Sequence, residues 1–354
     1  MEQKGNETAM VHGGDVYDKR IRQDFSVNLN PLPMPEALKE VYKTCLTQVE
    51  CYPDPLQRKV RKALAELEGI SMEQVWCGNG ASELIMGLLR ARKPKKVLLV
   101  TPGFYGYEHC IRSISGEVVE FPLSQRDDFR LTAQVLDVLE DTLDMVILTN
   151  PHNPTGQNIE KDLLMEILEY CQTKGIDLVV DECFLRMSTG NSISMVPYIS
   201  QYPHLMVVNA MTKLFRIPGI RSGYLVAQED VIASVMQQLP EWNMSVIAQE
   251  MTTKCAELLR TTDFIDRTTG LIQTEEAYLR TALTHLGYIV FSTDTSFLLV
   301  YGMDRKVRDA LEMQGFLLRD CSNFKGLSDG FVRIAVKSHD ANEALIQCLR
   351  KELA

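Results

Sequence analysis

One lysine in this sequence has surroundings suited to covalent chemistry. Lys213 closes Asn209-Ala210-Met211-Thr212-Lys213, directly after the apolar run at 205–208, and Arg221 follows in Ile217-Pro218-Gly219-Ile220-Arg221-Ser222-Gly223. A lone lysine is ordinarily a solvated surface charge. Fixed at a strand end beside a second cation, it becomes a candidate imine-forming amine. The neighbouring charge lowers its pKa and can itself neutralise a phosphate. Asp181, in Val179-Val180-Asp181-Glu182-Cys183-Phe184, also follows an apolar run. It reads either as a helix N-cap or as a carboxylate that keeps a ring nitrogen protonated.

Three further motifs have the same placement. Asn150-Pro151-His152-Asn153-Pro154-Thr155-Gly156 follows the run MVIL. Two X-Pro steps and a glycine make a rigid turn, on which the Asn153 amide could donate to a phenolic oxygen. Cys77-Gly78-Asn79-Gly80-Ala81-Ser82-Glu83 precedes a helical stretch. Backbone N–H groups at such a start suit a phosphate, although Ser82 could equally be only an N-cap. Thr101-Pro102-Gly103-Phe104-Tyr105-Gly106-Tyr107 offers aromatics that either stack on a ligand ring or pack in the core.

These groups can meet only on a scaffold that brings distant loops together. Short β-rich runs at 97–100, 145–148, 176–180, 205–208 and 224–227 alternate with amphipathic stretches such as 160–174. That rhythm predicts an α/β fold with a mainly parallel sheet covered on both faces by helices. Such sheets bind ligands outside their strands' carboxyl ends, where the polar motifs fall. Helices are expected over 35–46, 56–68 and along 246–286, and strands at 297–301 and 331–336. The expected organisation is an N-terminal arm with part of a small domain over 1–45, a large domain over 46–242, and a smaller α+β domain over 243–354.

The bulk properties narrow the function. The 354 residues are 45% hydrophobic and 24% charged, with a formal charge of −10. That charge disfavours nucleic acid and anionic membranes as partners, and any anionic substrate needs local cations. The nine cysteines include no C-x-x-C pair, and the six histidines form no ligand-spaced cluster. Free thiols and no metal are the expectation. With no signal-like or bilayer-spanning run, a cytoplasmic location is expected.

Taken together, the motifs G-N-G-A-S-E, P-G-F, N-P-H-N-P-T-G, D-E-C-F, T-K and R-S-G-Y resemble fold-type I pyridoxal 5′-phosphate enzymes of the aminotransferase class I/II group. The resemblance spans nearly the whole chain. It implies a homodimer with shared active sites and pyridoxal 5′-phosphate as cofactor. It further implies Lys213 as the lysine that holds the cofactor and moves protons at Cα, Asp181 at the pyridinium nitrogen, Asn153 at the phenolic oxygen and Phe104 stacked on the ring. Gly80, Ala81, Ser82, Thr212 and Arg221 would hold the phosphate, with Tyr52 reaching it from the neighbouring subunit. Ala210 departs from the hydroxyl residue often found there, which removes one phosphate hydrogen bond.

Two branches of the family share these motifs, the histidinol-phosphate aminotransferases and the threonine-phosphate decarboxylases. The chain sides with the decarboxylases in three segments: His12-Gly13-Gly14, the stretch from Asp24 to Leu32 (DFSVNLNPL), and Arg319-Asp320-Cys321-Ser322-Asn323-Phe324-Lys325-Gly326-Leu327. It does so again in Phe184, where the aminotransferases commonly carry tyrosine. The implied reaction is decarboxylation of L-threonine O-3-phosphate to (R)-1-amino-2-propanol phosphate for cobalamin biosynthesis. The implied anchors for this small phosphorylated amino acid are His12, Gly13, Asn28, Asn153, Arg319 and Arg333. Taken on their own residues, Arg319 remains a candidate solvated charge and His12 an arm residue without a ligand.

Overall fold

The computed structural model describes residues 12–353; residues 1–11 and 354, including the start of the arm, lie outside the described part. Seven strands form one sheet in the order Val75–Asn79, Ser222–Val226, Leu205–Asn209, Asp177–Asp181, Met145–Thr149, Lys96–Thr101 and Glu117–Pro122. Ser222–Val226 runs antiparallel to both its neighbours, and the remaining pairs are parallel.

Burial on both faces explains the continuous apolar runs. Val97 and Leu99 pack on one face with Leu84, Leu88 and Ile111, while Leu98 and Val100 pack on the other with Leu64, Leu164 and Ile167. This is the period-two alternation of a strand covered by helices on each side. Helix Lys161–Lys174 shows the matching helical period: Leu163, Leu164, Ile167, Leu168 and Cys171 are buried. It stops at Gly175, whose φ of 68° is a conformation glycine adopts without strain.

A second, antiparallel sheet contains Arg319–Asp320, Phe331–Ala335, Phe297–Tyr301 and Ile289–Val290 in that order. Helices Phe264–His285 and His339–Leu353 cover it through Leu279, Leu283, Leu345 and Leu349. The arm is tied here too. Gln23–Asp24 pairs in parallel with Phe316–Leu317, and fully buried Phe25 enters this second core. The expected α/β class, a mainly parallel sheet with a smaller α+β part, is the observed architecture.

Several expected boundaries shift. The helix expected over 35–46 is Glu36–Cys45, with Pro35 at its N-cap. The next begins at Arg58 rather than 56, because Gln57 is left-handed with φ 53°. The helical region expected over 246–286 is two helices, Val246–Thr261 and Phe264–His285. Two strands of the seven-stranded sheet were not anticipated. Val75–Asn79 contains the glycine read as part of a phosphate turn, and Glu117–Pro122 is an edge strand of mixed exposure.

Candidate active site

The strand ends gather the polar motifs. Thr101, Thr149, Asp181 and Asn209 each close a parallel strand, so their side chains share the sheet's carboxyl edge. Because Ser222–Val226 runs the other way, its beginning lies at that same edge, and Arg221 with it.

Lys213 sits on the single helical turn Met211–Leu214, immediately beyond strand Leu205–Asn209. Its carbonyl accepts the Asn30 N–H at 3.0 Å, and among the described residues its amine makes no ion pair. Burial lowers the amine's pKa. Arg333 and Arg221 push in the same direction, while Cys183 and Asp181 oppose them. A neutral amine is thereby easier to reach than on a surface lysine.

Asp181 is held from two sides. The Tyr107 hydroxyl donates to Oδ2 at 2.7 Å, and the Cys183 N–H donates to Oδ1 at 2.9 Å. Tyr107 also bonds the Thr149 hydroxyl at 2.9 Å and meets the Phe104 ring edge-on, with centroids 5.4 Å apart. Burial, then the Asp181 charge, raises the Tyr107 pKa well above its ordinary value, so it stays a donor. Sequence reasoning missed this role. The available signal was its place three residues past Phe104, hence on the same side of a helix start.

Strand register builds a cradle of glycine backbone and one arginine. Asn79 pairs with Ser222 and Gly78 with Gly223, which sets Gly80 and Ala81 against Arg221. A Cβ on Gly80 would lie 2.4 Å from Arg221 Nη2, and one on Gly223 would lie 2.5 Å from the Ala81 nitrogen. Gly80, at φ 82°, precedes helix Ala81–Arg92, so the N–H groups of the first turn and exposed Ser82 are presented together. Arg221 itself holds φ 61°. For a non-glycine residue that backbone costs on the order of 1 kcal/mol. Buried Thr212 donates its hydroxyl to the Ser222 carbonyl at 2.9 Å, next to this cradle.

The arm and the second sheet bring the remaining candidates. Arg319 and Arg333 are directly opposite each other on adjacent antiparallel strands and are 6% and 7% exposed. Arg333 Nη1 donates to Asn153 Oδ1 and Nη2 to the Ser26 carbonyl at 2.8 Å. Its Nε, like Asn28 Oδ1, is buried without a partner among the described residues. Burial lowers the Arg333 pKa to about 10, with the Arg319 charge contributing, so it remains a cation at neutral pH. The His12 ring lies 6.1 Å from that of Phe104, and burial followed by the Arg319 charge lowers its pKa. Gly13 crosses Ser26 so closely that a Cβ would sit 2.3 Å from the Ser26 carbonyl oxygen. A cavity of about 180 Å³ opens between His12, Ser82, Phe104 and Tyr105. Tyr52 alone stands apart, 82% exposed against Trp242.

A half-buried lysine, a carboxylate pinned by two donors and a glycine–arginine cradle at a helix start define a class of site. They suit a ligand with an aldehyde, a basic ring nitrogen and a phosphate. The comparisons agree. The family model described as aminotransferase class I and II matches residues 23–349. A provisionally named threonine-phosphate decarboxylase of Caldanaerobacter subterraneus is 34% identical, over 96% of this chain and 93% of its own. The threonine-phosphate decarboxylase of Salmonella typhimurium is 31% identical, over 93% and 91%. The solved histidinol-phosphate aminotransferase of Clostridium acetobutylicum superposes with a TM-score of 0.86 at 28% identity, covering 94% of this chain and 99% of that one. The chain belongs to the class I and II aminotransferase family, an enzyme family whose cofactor is pyridoxal 5′-phosphate. Among the described residues, no helix is long and apolar enough to cross a membrane.

Proposed function

We propose that this enzyme releases CO₂ from L-threonine O-3-phosphate, leaving (R)-1-amino-2-propanol phosphate for cobalamin biosynthesis. The observation that carries the reading is the cross-strand pair of Arg319 and Arg333. Two like charges directly opposite one another and buried are unfavourable. A substrate bearing both a carboxylate and a phosphate offsets that cost with one molecule. The overall charge of −10 makes such a local pair the more necessary.

Bound pyridoxal 5′-phosphate supplies the electron sink for the pair left at Cα when one of its bonds breaks. The residues proposed to hold it are Gly80, Ala81, Ser82, Thr212 and Arg221 at the phosphate, Asp181 at the ring nitrogen, Asn153 at the phenolic oxygen and Phe104 against the ring, with Lys213 at the aldehyde. Asp181 keeps its orientation through Tyr107 and the Cys183 amide. Lys213 delivers the proton to Cα after CO₂ has left. Arg333 takes the substrate carboxylate as a two-pronged donor. Arg319, together with His12, Gly13 and Asn28, takes the phosphate. Clamping both ends fixes rotation about the bonds to Cα, and that rotation selects which bond breaks. Phe184 supports the decarboxylase reading, since its buried ring packs edge-on against Phe297 at 5.3 Å and brings no hydroxyl. Exposed Tyr52 is available to a second copy of the chain, which fits a homodimer with shared sites.

Similarity to a solved histidinol-phosphate aminotransferase favours a second reading, amino transfer to imidazole-acetol phosphate. One assay separates the two. Holoenzyme incubated with L-threonine O-3-phosphate should release CO₂ and the amine in equal amounts. Amino transfer from glutamate to imidazole-acetol phosphate, without CO₂ release, would reject the decarboxylase reading.

A further inference from the structure

Arg319 is a buried cation that forms no ion pair among the described residues. Nη1 donates to the Asp320 carbonyl, Nη2 donates to Asn323 Oδ1 at 2.9 Å, and the guanidinium lies 4.9 Å from the Phe324 ring centroid. The neighbouring Asp320 carboxylate is drawn the other way, to Arg308 at 3.3 Å and to the Ser322 N–H at 2.8 Å. The turn that follows strand Arg319–Asp320 therefore sets where this guanidinium points. Successive bonds from Phe324 N–H to the Cys321 carbonyl and from Leu327 N–H to the Phe324 carbonyl fold that turn on itself.

Lys325 lies in the same turn and reaches across to the large sheet. Its amine donates to Glu108 at 3.0 Å and also to Glu120. Glu108 is 8% exposed and lies on helix Tyr105–Ser113, which starts directly after Phe104; Glu120 lies on edge strand Glu117–Pro122. The same helix start carries Tyr105, whose ring is 6.5 Å from that of His12. One lysine thus ties the turn that aims Arg319 to the helix whose start lies beside Phe104 and His12.

We propose that Lys325 is a positioning residue for the substrate's anion. By clamping the Cys321–Leu327 turn onto Glu108 and Glu120, it holds Arg319 at the distance from Phe104 and His12 that a phosphorylated substrate requires. The proposal rests on the reading of Arg319 as the phosphate anchor. The amine of Lys325 is engaged by Glu108 and Glu120, and in this role its contribution passes through Arg319. A partly exposed clamp of this kind is worth a modest factor and weakens with salt.

The test uses holoenzyme with K325M, K325R, R319Q and the double variant R319Q/K325M. Affinity for L-threonine O-3-phosphate is read by titrating the cofactor's absorbance, and turnover by CO₂ release. K325M should weaken binding and raise KM about five-fold with kcat within about two-fold, and K325R should recover most of the loss. Raising ionic strength should weaken binding more in the wild type than in K325M. In the R319Q background, K325M should add nothing. An additive effect there, a loss confined to kcat, or unchanged binding in K325M would overturn the proposal. Absence of CO₂ from the wild type would instead reject the decarboxylase reading, and the absorbance titration would still decide the role of Lys325.

Discussion

At the carboxyl edge of the seven-stranded sheet, Asp181 is gripped by Tyr107 and the Cys183 amide, and strand register presses Gly80 against Arg221. At the four-stranded sheet, by contrast, Arg319 and Arg333 face each other as like charges, and Asn28 Oδ1 and Arg333 Nε are buried without partners among the described residues. One end is satisfied by its own hydrogen bonds, and the other is left with electrostatic demand that a ligand must meet. A chemistry common to many relatives can be fixed by the first kind of region. On the proposed function, choice of substrate belongs to the second, where small changes of anchor position alter what is held and how.

Removing a group from the satisfied end should damage every reaction of the enzyme, and the largest loss is expected at Lys213. K213A should lower CO₂ release by about 10⁴-fold, because its proposed roles in cofactor attachment and in proton delivery to Cα are both lost. Borohydride treatment of wild-type holoenzyme followed by peptide mass mapping should find the cofactor on the peptide carrying Lys213. Its appearance on any other lysine would erase the contrast between the two ends.

Damage at the demanding end should depend on the substrate. R319Q should lower kcat/KM for L-threonine O-3-phosphate by about 10²-fold, the scale for truncating one partner of a buried charge pair. Activity toward unphosphorylated L-threonine, however small, should change far less. Equal losses on both substrates would mean that Arg319 supports the fold rather than reads the phosphate.

Tyr107 sharpens the comparison from within the satisfied end. Y107F keeps the ring against Phe104 but removes the donor to Asp181. A hydrogen bond to a buried carboxylate is worth roughly 1.5–3 kcal/mol, so kcat should fall about ten-fold. KM should move little, and cofactor release during dialysis should quicken. A change in KM alone would place Tyr107 with the substrate anchors.

How much of this was legible differs between the same two regions, for a physical reason. Asp181 closes a fully buried strand, and Asn153 and Lys213 follow others, so an apolar run announces the position of the polar residue behind it. The alternation of strands and helices likewise gave away the layered fold. Tyr107 was hidden because its bond to Asp181 joins residues far apart in the chain, and no local pattern encodes that pairing. The opposition of Arg319 and Arg333 depends on the register of two strands and was invisible for the same reason. Val75–Asn79 escaped notice because Gly78 is there for a close approach, not a turn: a Cβ on it would lie 2.6 Å from the Leu84 side chain.

The smallest effect concerns Glu182, next to Asp181 but turned away from the site. Its carboxyl accepts from the Ser194 hydroxyl at 2.7 Å and the Met195 N–H at 2.6 Å, and burial raises its pKa from 4.5 to about 8. Between those two values the folded chain holds a proton there that the unfolded chain has released. Linkage then makes this group's contribution to stability complete below pH 4.5 and progressively lost as pH rises to about 8. E182Q preserves the shape without the titration, and its amide can still donate to Ser194 and accept from Met195. The variant should therefore melt a few degrees above the wild type at pH 9, with the gap shrinking toward pH 6, in thermal scans followed by circular dichroism. CO₂ release at pH 7 should be nearly unchanged, because the wild-type side chain is already neutral there. A variant less stable than wild type at pH 9 would mean that Glu182 is held as an anion, and that this flank of Asp181 belongs electrostatically with the demanding end.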